Sequence, residues 1–243
     1  MKKLMMSLLC VSVLTVGSVN AQDNSSTNSE SLKELQNEGV VSKSITESQW
    51  QQMKAQERKE KAEFERTAEQ EWQEQQKQDQ IDRENRKRKK KFHLKKGDYF
   101  ITNSVSSKGL SGHAAIYLGK GRIKEAPGYK QAIKTNNFYK WKRYTLKKRK
   151  GNPQHRFIKV YRAPKKYRSK AGNYAKTHFK GVPYSITANP YSKNVTYCSK
   201  LVWQSYYYGA GSNSVKGTPG PVFYPYSLNK HIKSKRVKIY KRG

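Results

Sequence analysis

Apolar residues are spread unevenly along the 243 positions, and their spacing divides the chain into three parts. Met1-Lys2-Lys3 leads into an apolar run from Leu4 to Val19 that ends on Val19-Asn20-Ala21. A basic start, a short apolar core and small residues at the cut make residues 1–21 a secretion signal, cleaved between Ala21 and Gln22. Ser7, Ser12, Thr15, Gly17 and Ser18 break the run, which argues against a membrane anchor. Residues 22–46 are rich in Ser, Asn, Thr and Glu and should be disordered or loosely helical. Residues 47–90 are dominated by Gln, Glu, Lys and Arg without Pro or Gly, a composition that favours helix. Trp50, Met53, Phe64 and Trp72 are too sparse for a sustained heptad seam, so this stretch reads as a solvated helix or spacer. The run Arg86 to Lys91 ends the polar leader at residue 90.

Residues 91–243 are long enough to bury a core of their own and read as one folded domain. Tyr99-Phe100-Ile101 predicts a strand after the turn Lys96-Gly97-Asp98. His113 to Leu118 and Arg122 to Ala126 flank Gly119-Lys120-Gly121, the pattern of a β-hairpin. Phe157 to Tyr161 predicts another strand, closed off by Pro164. Residues 166–179 predict a helix that ends at Gly181 and Pro183, and residues 199–208 a second one stopped by Gly209. Val237 to Tyr240 adds a last strand. The expected class is α+β, a small antiparallel sheet packed on a few helices.

Charge sharpens this division. Residues 22–90 hold 14 Lys and Arg against 15 Asp and Glu, whereas residues 91–243 hold 35 against two acids, Asp98 and Glu125. A body at +33 is drawn to polyanions by attraction that weakens with salt. For a secreted protein the candidates are phosphate-bearing wall polymers, anionic membrane surfaces and free nucleic acid. Secretion and the lack of a nucleic-acid-binding motif place nucleic acid last.

The chemistry centres on Tyr197-Cys198-Ser199-Lys200-Leu201-Val202-Trp203. The only other cysteine, Cys10, lies in the signal, so the mature chain carries one thiol and cannot form an internal disulfide. A cysteine at the start of a helix has free N–H groups and the positive end of the dipole aimed at its sulfur, which favours the thiolate that attacks. A small buried hydrophobe is the plain alternative. Among five histidines, His113 stands out because a strand carries it into the sheet. Glu125, on the partner strand, can share its face and hold the imidazole, as the third member of a catalytic triad does. An ordinary ion pair with Lys or Arg is the plain reading of that carboxylate. No His, Cys and Asp cluster has metal-ligand spacing, so neither metal nor cofactor is expected.

Gly97-Asp98-Tyr99-Phe100, Ser111 to Gly119, Lys124-Glu125-Ala126 and Tyr197 to Trp203 together resemble the circularly permuted NlpC-type hydrolases. These are papain-like enzymes of the YiiX/YebB-like group, in which histidine precedes cysteine. The resemblance covers residues 95 to about 240, includes the Pro219 to Leu228 loop, and implies a permuted papain-like fold with Cys198, His113 and Glu125 as catalytic residues. Lys200 departs from it, since the family motif carries an acid there, and that changes the expected charge of the substrate rim.

Three readings follow. The first is a secreted, wall-associated cysteine amidase or endopeptidase acting on peptidoglycan peptides. The second keeps the site but takes a lipid ester or amide as acyl hydrolase or transferase; Tyr206-Tyr207-Tyr208 and Val222 to Tyr226 could line its apolar groove, and core or stacking surface is their plain reading. The third is a non-catalytic polyanion-binding module. Its motif is Phe138-Tyr139-Lys140-Trp141-Lys142-Arg143-Tyr144, where basic and aromatic residues interleave.

Overall fold

The computed structural model describes residues 31–85, 91–104, 108–149, 153–217, 220 and 222–242; residues 1–21, read above as a secretion signal, and residues 86–90 of the basic run lie outside them. Six strands form one antiparallel sheet: β1 (Tyr99–Thr102), β2 (His113–Gly119), β3 (Arg122–Glu125), β4 (Lys134–Asn137), β5 (Arg156–Arg162) and β6 (Lys235–Arg242), in the order β4-β3-β2-β1-β5-β6. Six α-helices complete the described fold: α1 (Leu32–Asn37), α2 (Glu47–Glu84), α3 (Phe138–Leu146), α4 (Lys165–Thr177), α5 (Cys198–Ala210) and α6 (Leu228–His231). The class is α+β, as the alternation of strand and helix patterns implied. None of the described helices is long and apolar enough to cross a membrane.

Alternation along β2 builds the two layers. Ala114, Ile116 and Leu118 point into the core shared with α4 and α5, while Ala115 and Tyr117 pack with Phe138 and Trp141 of α3. This follows from the period of two in a strand covered on both faces. The β2–β3 turn closes through Gly119, Lys120 and Gly121, all at positive φ, which is the conformation a tight hairpin needs.

Several stretches differ from the sequence expectation. Residues 31–46, expected to be disordered or loosely helical, carry the capped helix α1 and bury Leu32, Leu35, Val40, Val41 and Ile45 in the core. The basic–aromatic run 138–144 is not a flat binding strip. Asn137 caps a helix there, its Oδ1 accepting from the N–H groups of Tyr139 and Lys140 at 3.0 and 3.1 Å, and Phe138 and Trp141 turn inward. The leader helix α2 is not a solvated spacer either. Trp50, Met53, Glu57, Glu60, Phe64 and Ala68 form one buried stripe at helical spacing, and residues 31–243 make a single compact unit. Two of the six stripe positions are glutamates, so hydropathy alone does not reveal it.

Those glutamates are met partly by α2 itself and partly by the body. Glu57 takes the backbone N–H of Ser111 and the ammonium of Lys54, and Glu60 accepts from Gln56 at 3.0 Å. Further along, Glu69 pairs with Lys241 at 2.7 Å, and Glu71 with Lys159 and Arg236 at 3.0 and 3.2 Å. Gln75 bonds both backbone groups of Ile239 in β6, at 3.3 and 3.2 Å. The helix thus covers the sheet's edge strand, which would otherwise offer unpaired backbone groups to another chain.

Candidate active site

Gly112 turns the chain into β2 at φ +76°, and a side chain there would come within 2.6 Å of the Tyr226 ring. Glycine is therefore required both by the backbone and by the close approach of Tyr226. The turn delivers His113 to the first position of β2, opposite Thr102 of β1. With Ile116 opposite Lys124, Glu125 falls one diagonal from His113 on the same face of the sheet. His113 Nε2 and Glu125 Oε2 are 2.7 Å apart, and both side chains are buried.

Glu125 is held from three directions. Trp141 Nε1 of α3 donates to its Oε2 at 2.9 Å, and Asn136 of β4 donates its amide to Oε1. Burial pushes the carboxyl up, but the bonds to His113, Asn136 and Trp141 outweigh it and hold the group below the usual carboxylate range. Glu125 is therefore an ionised acceptor for the imidazole.

Cys198 is the first residue of α5 and is completely buried. Tyr197 before it is extended and lends no side chain to cap the helix, so the first-turn N–H groups remain open. One distant residue brackets the cysteine: Phe223 donates its N–H to Tyr197 Oη at 2.9 Å and accepts from Ser199 Oγ at 2.7 Å. His113 Nδ1 is buried and is the ring nitrogen that Glu125 leaves free. Burial lowers the affinity of His113 for a proton, yet contact with Cys198 and then Glu125 more than reverses this, raising its pKa to about 10. The imidazole is thus placed between thiol and carboxylate and favours its protonated form. Tyr226 Oη is a further buried hydroxyl, beside Ser111 and within electrostatic reach of Cys198, and burial raises its pKa so that it stays an O–H donor.

The three residues singled out from sequence are brought together here. The other histidines lie elsewhere: His178 stacks on Tyr174 at 3.7 Å, and His231 meets the edge of Phe223. Asp98 accepts the N–H of Lys95 at 2.8 Å, as its turn position implied, and also pairs with Arg162 at 2.6 Å. Sequence reading missed Asn136 and placed Trp141 in a binding strip and Tyr226 in an aromatic run rather than at this site. Asn136 left no signal, whereas Trp141 lies at helical spacing from Phe138. The aromatic runs that could have lined a groove are largely core, since Tyr206, Phe223, Tyr224 and Tyr226 are all buried.

Lys200 corrects another expectation. It is not on a rim: its side chain is fully buried and Nζ has no partner, so burial lowers its pKa to about 8. An unpaired buried ammonium costs stability. Lys200→Met should therefore stabilise the fold at pH 7 by about 1–3 kcal/mol. The sign with pH is also fixed. The unfolded chain keeps this proton to about 10.5 and the folded one releases it near 8, so its penalty shrinks as pH rises between those values. The gap between variant and wild type in denaturant melts should close from pH 8 towards 10.5; a less stable variant, or a constant gap, would sink this account.

Residues 71–242 match a family described as "Lipoprotein N-acylation protein LnsA-like". An uncharacterised 30.3 kDa protein of Bacillus thuringiensis is 36% identical over 151 residues, covering 56% of this chain and 53% of the relative. The chain thus spans about half the length of the curated relative it matches. No solved structure matches.

Proposed function

The chain belongs to the LnsA-like lipoprotein N-acylation family, and on that premise we propose that it is a cysteine acyl-transfer enzyme. Cys198 would take an acyl group from a lipid ester as a thioester and release it to water or an amine. The observation that carries this is His113, set between the buried thiol and an ionised Glu125. His113 takes the thiol proton, Sγ attacks the acyl carbonyl, and the imidazolium returns the proton to the leaving oxygen. The open N–H groups of α5 and the Tyr226 hydroxyl are the donors at hand for the oxyanion. Glu125 fixes the tautomer that leaves Nδ1 free to act as base.

The chain order His113, Glu125, Cys198, with the cysteine at a helix start packed on an antiparallel sheet, supports reading the fold as a permuted papain-like arrangement. The same residues could attack a peptide amide of peptidoglycan, the substrate that sequence reading placed first. The family description, which concerns N-acylation, moves a lipid-derived acyl group ahead of it. The apolar segment Leu4 to Val19 and the basic body support export to an anionic envelope surface.

Incubating the full chain with phospholipid vesicles and measuring its intact mass tests this reading. One acyl group, removable by hydroxylamine and absent from Cys198→Ala, is expected. Release of stem-peptide fragments from purified peptidoglycan, with no acyl adduct from lipid, would return the amidase to first place.

A further inference from the structure

A cavity of about 370 Å³ opens against the His113–Glu125 pair, bounded by β4, α3 and the loop between β3 and β4. Its volume is at the small end of the roughly 300–1,000 Å³ of ligand sites, which suits a headgroup rather than acyl chains. The free valences of its walls define what it can hold. Both oxygens of Glu125 are taken by His113, Trp141 and Asn136. The Asn137 carbonyl caps α3, leaving its amide N–H groups open. Lys134 and Lys140 line the same space with exposed side chains, Lys134 lying opposite Glu125 across the β3–β4 pair. Two exposed ammoniums and an open amide favour a ligand rich in acceptor oxygens and negatively charged.

The position of the cavity relates that ligand to the chemistry. His113 lines this cavity and also contacts Cys198, so a group bound in the cavity lies one imidazole ring away from the thiol. Around it, α3 exposes Tyr139 and Tyr144, 65% and 59% accessible, beside Lys140 and Arg143. Exposed tyrosines interleaved with cations suit the headgroup layer of an anionic bilayer.

We propose that this cavity is the subsite for the phosphodiester headgroup of a glycerophospholipid acyl donor, resting on the acyl-transfer reading above. In the step it serves, Sγ of Cys198 bonds to the ester carbonyl carbon and the bond from that carbon to the glycerol oxygen breaks. The proton His113 took from the thiol goes to that oxygen. The thioester stays on Cys198, and the lysophospholipid leaves with its phosphate held by Lys134 and Lys140.

Two arms test this on the full chain. In the first, sn-glycerol 3-phosphate is titrated into Cys198→Ala while the side-chain amide signals of Gln131 and Asn137 are followed by NMR. Saturable shifts that weaken with salt are expected, with affinity at least tenfold lower once Lys134→Ala and Lys140→Ala are added. Both lysines are exposed, so a melting curve suffices to show that the fold is kept. No shift, or the same affinity in the variant, overturns the subsite.

In the second arm, acyl-adduct formation is compared between phosphatidylglycerol vesicles and a phosphate-free diacylglycerol emulsion. The double lysine variant should lose at least tenfold of the preference for phosphatidylglycerol; an unchanged preference overturns the proposal. Binding of a poly(glycerol phosphate) wall polymer, with no response to vesicles, would overturn the lipid as the source of the phosphate. Intact glycerol phosphate binding with no adduct from either donor would instead sink the acyl-transfer reading, and with it the leaving-group role.

Discussion

His113→Ala should lower the rate at which Cys198 takes up an acyl group by about a thousandfold, the order of a lost general base. The imidazole is the neighbour that can take the thiol proton, and no other histidine lies at the site. Glu125→Gln should be as damaging although it removes only a charge. A glutamine amide can donate to His113 Nε2, which would place the ring proton on Nδ1, facing the sulfur, where it cannot act as a base. The pH profile separates this from mere loss of structure. Cys198 and Glu125 together raise the pKa of His113 to about 10, so the proton-donating imidazolium persists through neutral pH and is lost only in strong alkali. Without the carboxylate, that alkaline limb should move towards neutral pH. Rapid-quench mass spectrometry of the acyl adduct from pH 6 to 11 measures both effects. A Glu125→Gln enzyme with the wild-type rate and profile would remove Glu125 from the mechanism.

The parts of this site that could be read from sequence are those set by local rules. A hairpin with glycines at its turn puts His113 and Glu125 on one face whatever the rest of the chain does. A cysteine just ahead of a stretch with helix-forming periodicity lies at a helix start for the same reason. What escaped was set by distance. Lys134-Thr135-Asn136-Asn137 has no apolar alternation and becomes β4 only because β3 offers an open edge. Its Asn136 then reaches a carboxylate that no local pattern connects to it. The clip of Tyr197 and Ser199 onto Phe223 spans more than twenty residues. Lys200 looked like a surface charge because lysine usually is one; its burial is a tertiary fact.

Removing residues 31–84 should cost the protein its fold rather than trim a dispensable leader. Trp50, Met53 and Phe64 are each about 5% exposed or less, and burying three such side chains contributes roughly 5–9 kcal/mol. That is comparable to the whole net stability of a typical domain, about 5–15 kcal/mol. The deletion would also uncover β6, now bonded through Gln75, and leave Lys159 and Tyr161 without the helix that covers them. The consequence reaches the site before global unfolding does. Glu57 holds the backbone N–H of Ser111, and Lys54 bonds Gly109 O at 3.4 Å, so α2 fixes the loop that delivers His113. Phe64 packs on Tyr226 at 5.2 Å, which carries the same restraint to the other wall. A chain of residues 91–243 should therefore aggregate or lack a cooperative melt. Glu57→Ala in the full chain should keep the melt but acylate Cys198 about tenfold more slowly, the scale for loss of a supporting hydrogen bond. Circular dichroism melts and the acyl-adduct rate decide it. A 91–243 fragment that melts cooperatively and acylates at the full rate would make α2 an accessory, and the buried stripe along it would then need another purpose.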